Sequence, residues 1–136
     1  MRYLLDTNIC IYIIKQRPPH VFERFRRHPI GNVSLSVISY SELAYGVAKS
    51  SRPEKNELAL QSFVAPLRIE PFPPDAAPIY GRIRAELRRV GKPIGPLDLL
   101  IAAHALCLGA VLVTNNVAEF DRVPGLKLEN WAEPVA

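Results

Sequence analysis

Tyr3-Leu4-Leu5-Asp6-Thr7-Asn8, almost at the start of the chain, is an apolar run that ends in a carboxylate. A short hydrophobic stretch bounded by polar residues is the pattern of a buried strand, and in an open α/β sheet ligands bind in the crevice beyond the carboxyl ends of such strands. The run therefore places Asp6 at the sheet edge that carries chemistry. The residues after it read as a helix over 7–15, with Ile9, Cys10, Ile11, Ile13 and Ile14 around most of its circumference, as packing against a sheet requires.

The same grammar extends along the chain. Pro18-Pro19 stops the first helix, and a second over 19–27 carries Val21, Phe22 and Phe25 on one side and Arg24, Arg26 and Arg27 around the other. Val33 to Val37 alternates like a strand, and a helix follows from Ser39, where Ser39-Tyr40-Ser41-Glu42 matches a capping box. Pro53 opens a helix with Leu58, Leu60, Phe63, Val64 and Leu67 as its apolar stripe, and the prolines at 71, 73 and 74 limit Arg68-Ile69-Glu70 to a short edge strand. Residues 75–90 form a long amphipathic helix on Ile79, Ile83, Leu87 and Val90, closed by Gly91. Pro96 suits the first position of the next helix, with Asp98 in its first turn. Residues 110–114 are a third clear strand, and 126–128 a last short one before Trp131. Strands alternating with helices predict a three-layer α/β/α sandwich with a mostly parallel sheet of about five strands. Residues 1–132 make one domain, and 133–136 a short tail.

Composition sets further bounds. The 136 residues suffice for one core without staples, and the two cysteines, Cys10 and Cys107, lie in apolar helical stretches, so a reducing compartment is expected. A carboxylate at position 6 interrupts any signal-peptide apolar region, and the nearly apolar run from Leu99 to Val113 is shorter than the roughly 20 residues of a membrane-spanning helix. Neither secretion nor membrane insertion is expected. Seventeen Lys and Arg against thirteen Asp and Glu give a net charge of +4, which suits a polyanionic partner.

Three acids share one address. Asp6 ends the first strand, Glu42 sits in the first turn of the helix after the second, and Asp98 opens the helix that feeds the third. Each has a structural explanation alone: a cap for Asp6, a capping-box partner for Glu42, a macrodipole charge for Asp98. Together they crowd one rim, and carboxylates held close drive one another toward protonation unless a cation intervenes. With no Cys or His cluster among them, the donors are all oxygen and select Mg²⁺ or Mn²⁺, an ion that activates water against a phosphodiester. Thr114-Asn115-Asn116 follows the third strand, with Glu119 and Asp121 beyond; its asparagines serve equally as metal donors or as turn residues.

These residues, in this order, resemble a PIN domain, and more narrowly the VapC toxins of VapBC type II toxin-antitoxin pairs in bacteria. The matching stretches are Leu4 to Asn8, Ser41-Glu42-Leu43 with Gly46, Gly95 to Asp98 with Ile101 to Ala105, and Val113 to Asn116 through Glu119-Phe120. The resemblance runs from Tyr3 to Trp131. It implies a cytoplasmic metal-dependent endoribonuclease that leaves a 5′-phosphate and a 3′-hydroxyl, with tRNA, including the anticodon region of initiator tRNA, as a substrate of some relatives. Asp6, Glu42, Asp98 and Asn116 would be the catalytic set, with Asp6 and Asp98 as direct Mg²⁺ ligands and Glu42 beside them. Asn116 stands where many members carry a fourth Asp, which removes one charge; Glu119 is the candidate replacement. Thr114 would orient metal-bound water, and Asn8 is a further supporting residue. The implied partners are a second copy of the chain and a VapB-type antitoxin, through which alone operator DNA would be contacted. Arg82 and Arg88 would touch RNA or antitoxin, unless they merely solvate their helix.

Two readings from other classes compete. A phosphoacceptor domain would use Asp6 as a nucleophile, but it calls for another acid in the same loop and a lysine at a later strand end, where this chain has Thr7, Asn8 and a pair of asparagines. A catalytically weak module would keep the fold and only grip RNA or a partner.

Overall fold

A computed structural model describes residues 2–133. The tail expected at 133–136 lies, from Pro134 onward, outside them. Five strands, β1 (Tyr3–Leu5), β2 (Val33–Ser36), β3 (Arg68–Glu70), β4 (Val111–Val113) and β5 (Leu128–Glu129), form one sheet in the order β3-β2-β1-β4-β5. Every pairing is parallel, so the sheet is wholly rather than mostly so. β1 is central because Leu4 and Leu5, both fully buried, point to opposite faces and each seeds a separate core.

The helices are α1 (Thr7–Lys15), α2 (Pro19–Arg27), α3 (Val37–Ala48), α4 (Pro53–Val64), α5 (Ala76–Arg89), α6 (Pro96–Leu108) and α7 (Val117–Phe120). Leu4 and Leu112 pack with Ile83 and Leu87 of α5 and with Ile101, Ala102 and Ala105 of α6. Leu5, Leu35 and Val113 pack on the other face with Ile9 and Ile13 of α1, Val21 of α2, Leu43 of α3, Leu60 and Val64 of α4, and Trp131. The expected three layers follow, with helices covering the strands on both sides.

The structure corrects the sequence reading around residue 37. The second strand ends at Ser36, and α3 starts at Val37 rather than at Ser39. Ser36 is the cap: its hydroxyl oxygen accepts from the Ile38 amide at 3.0 Å. Ser39 is buried inside the helix, and its hydroxyl has no hydrogen-bond partner among the described residues, so no capping box forms. Glu42 consequently lies in the second turn, not the first. Alternation from Val33 to Val37 hid the break, because β-branched residues at a helix start still look like strand. Leu58 and Val90, read as core, are 71% and 46% exposed, and the last strand is displaced to Leu128–Glu129. No helix among the described residues is long and apolar enough to cross a membrane.

Candidate active site

The β1–β4 ladder aligns Leu5 with Val113 and continues one step further, the Asp6 amide donating to the Val113 carbonyl at 2.9 Å. This delivers Asp6 and Thr114 side by side at the carboxyl edge. Asp6 caps α1, its Oδ1 accepting from the Thr7 amide at 2.8 Å, and its Oδ2 accepts from the Thr114 hydroxyl, also at 2.8 Å. Each oxygen keeps a lone pair, so the capping role and a ligand role coexist. Asp6 is only 5% exposed. Burial raises its pKa, the Thr114 and Thr7 hydrogen bonds pull it back, and the charges of Glu42 and Glu119 push it up again.

Thr7 is the link that sequence reasoning missed. Its hydroxyl donates to Glu42 Oε1 at 2.9 Å, tying the start of α1 to α3 and bringing Glu42 to Asp6. A hydroxyl directly after a strand-end acid was the available signal. Asp98 stands half-buried in the first turn of α6, whose N-cap is Gly95 and whose first residue is Pro96, as expected. Its pKa is pushed up to about 7, by burial first, then by the Glu119 and Asp6 charges, a hydrogen bond with Glu119 and the charge of Glu42.

Glu119, in α7, accepts from the Gly95 amide at 3.1 Å and from the Asn116 side-chain amide at 2.5 Å. Burial works against its ionisation, but those two donors, Asp98 and Arg122 hold it below the ordinary range. The two shifts run in opposite directions, so a proton held by this pair favours Asp98 over Glu119. Among the described residues none of the four acids is in an ion pair.

Among the described residues no three His, Cys, Asp or Glu side chains stand close enough together to hold a metal ion between them. The donors that do gather are an open, all-oxygen set, and this fits Mg²⁺, which keeps several waters and needs only one or two carboxylates. A second divalent ion has less to hold it, because Asn116 brings no charge and spends its amide on Glu119.

A family model for the PIN domain matches residues 3–126. The chain belongs to the PIN-domain family. Within the family it is similar to VapC proteins: it is 44% identical over 131 residues to the tRNA(fMet)-specific endonuclease VapC of Salmonella typhimurium, with 96% of this chain and 98% of that one covered. It is 45% identical over 131 residues to ribonuclease VapC2 of Haemophilus influenzae, with the same coverage. Among solved structures, DNA-bound VapBC from Salmonella typhimurium superposes with a TM-score of 0.91 at 43% identity, covering 97% of this chain and 99% of that one. Fold and family expectations are therefore both met.

The remaining candidates in this PIN domain divide. The Thr114 hydroxyl gives its proton to Asp6 and accepts from the Asn116 amide at 3.0 Å, so it orients Asp6. Asn8, exposed on α1, makes no side-chain hydrogen bond among the described residues. Arg82 and Arg88 are exposed on α5. Arg88 lines a cleft of about 280 Å³ with Pro93, Ile94 and Pro96, the segment that leads into Asp98; Arg82 does not line it.

Proposed function

We propose that this PIN domain is a Mg²⁺-dependent endoribonuclease, Mn²⁺ serving in its place, and the toxin of a toxin-antitoxin pair. The observation that carries the reading is the Asp98–Glu119 pair, which lies within electrostatic reach of Asp6 and Glu42 with no ion pair among the described residues to balance the four carboxyl groups. Asp6 and Asp98 would hold the ion, with Glu42 beside them. When bound, the ion supplies positive charge opposite the phosphodiester and makes water a stronger acid.

The chain's own groups do the rest. Thr7 and Thr114 fix both oxygens of Asp6, so the carboxylate is oriented before any ligand arrives. Gly95 and Asn116 hold Glu119 in its ionised form beside Asp98, so a cation there would favour the ionised Asp98 and release its proton to solvent. The relative named for tRNA(fMet) points to initiator tRNA as the substrate class, cleaved to 5′-phosphate and 3′-hydroxyl ends. VapBC structures support a VapB-type antitoxin as partner, with operator DNA reached through it. A homodimer in the bacterial cytoplasm completes the proposal.

Purified protein should cleave initiator tRNA with Mg²⁺, stop in EDTA and resume when Mg²⁺ is restored. Undiminished cleavage in EDTA removes the metal from the proposal. Arg88→Ala should leave the chemical step intact but weaken RNA binding, and reduce the slope of log affinity against log salt by about one phosphate contact. An unchanged slope takes Arg88 out of the RNA surface.

A further inference from the structure

His104 of α6 is fully buried, and its Nδ1 lies 2.8 Å from the hydroxyl of Ser36, also fully buried. Ser36 ends β2 and caps α3, accepting from the Ile38 amide. One side-chain contact therefore joins the helix that carries Asp98 to the N-terminus of the helix that carries Glu42. These two acids come from separate crossovers, and α3 and α6 meet directly.

The proton positions follow from the donor inventory. The Ser36 oxygen already receives the Ile38 N–H, so its own proton needs an acceptor, and in a dry site an unplaced hydroxyl proton is costly. Nδ1 is the acceptor in reach. The ring proton then sits on Nε2, which has no hydrogen-bond partner among the described residues. Burial favours the neutral ring. Phe72 packs edge-on against the imidazole at 5.3 Å. The charged group that acts on the ring is Glu70, aligned with Ser36 in the β2–β3 register and paired with Arg2 at 2.7 Å and Arg68 at 2.8 Å.

We infer that His104 and Ser36 are a buried positioning pair: Ser36 donates to His104 while capping α3, and this link sets Glu42 in register with Asp98. The inference rests on the proposed acidic site. An apolar side chain at 104 would fill the space equally well, so the imidazole's contribution is the fixed direction of one hydrogen bond.

His104→Leu keeps the volume and removes the acceptor, whereas His104→Asn offers an amide oxygen in its place. His104→Leu should lower kcat for RNA cleavage about tenfold with KM nearly unchanged, and His104→Asn should recover most of it. In a Glu42→Gln background, His104→Leu should add no further loss, because both changes remove the same function. In the unmutated chain, imidazole nitrogen NMR should show a neutral His104 protonated on Nε2. Wild-type kcat in His104→Leu beside an impaired Glu42→Gln overturns the pair alone, as does a loss that adds fully in the double variant or a proton found on Nδ1. Full cleavage by Glu42→Gln overturns the acidic site and the pair with it.

Discussion

Asp98→Asn should cost the protein its RNA cleavage, on the order of a hundredfold or more, while making the metal-free chain more stable. Both effects have one origin. The Asp98 carboxyl goes from an ordinary 3.8 to about 7 in the folded protein, by burial and by the charges of Glu119, Asp6 and Glu42. A folded-state pKa above the unfolded one means that the native chain holds this proton more tightly. The corresponding stability is complete below the unfolded value and is lost as pH rises through about 7. Asparagine does not ionise and escapes that loss. In EDTA the melting temperature of Asp98→Asn should therefore exceed the wild type's by more at pH 8 than at pH 5, and added Mg²⁺ should close the gap by binding only the wild type. Scanning fluorimetry at the two pH values decides it; a gap that does not widen would show that Asp98 is not strained by its neighbours.

Trp131→Ala should destabilise the domain by about 3–5 kcal/mol, a large share of the roughly 5–15 kcal/mol that holds a typical domain together. The side chain is fully buried although it lies near the end of the described chain. Its ring stacks on His28 with centroids 4.8 Å apart and planes within 5°, and meets Tyr3 of the central strand at 5.7 Å. Its indole N–H donates to Glu129 at 3.0 Å, and Arg24 lies 6.0 Å over the ring while pairing with the same carboxylate at 3.5 Å. Truncation opens a cavity against β1 and unties β5 from α2 at once. Urea unfolding should show the full loss in Trp131→Ala and a smaller one in Trp131→Phe, which keeps the ring contacts. A change below about 1 kcal/mol would mean that the last segment only rests on the core.

The boundaries of α1 and α2, the edge position of β3 and the start of α6 at Pro96 were all legible, because each depends on groups within a turn or two: apolar period, proline geometry, a capping acid. Asp6, Glu42 and Asp98 were legible as a set, since parallel strands must present their carboxyl ends on one edge. The start of α3 was not. The cap at Ser36 is stabilised by a histidine 68 residues later, which local pattern does not encode. Nor did local pattern place Glu119 against Asp98 and Asn116, mark Thr7 as the tie to Glu42, or anchor Trp131 on Tyr3.

By itself the sequence determined the elements, their parallel order and the acidic character of the rim, all consequences of short-range sterics and of burial periodicity. Tertiary structure alone decided how that acidity is shared. Which carboxyl keeps the proton, which hydroxyl orients Asp6 and which helix starts are stapled together depend on distances of a few ångströms between residues far apart in the chain. Those distances are set by strand register and dry packing, where a hydrogen bond or a charge counts most.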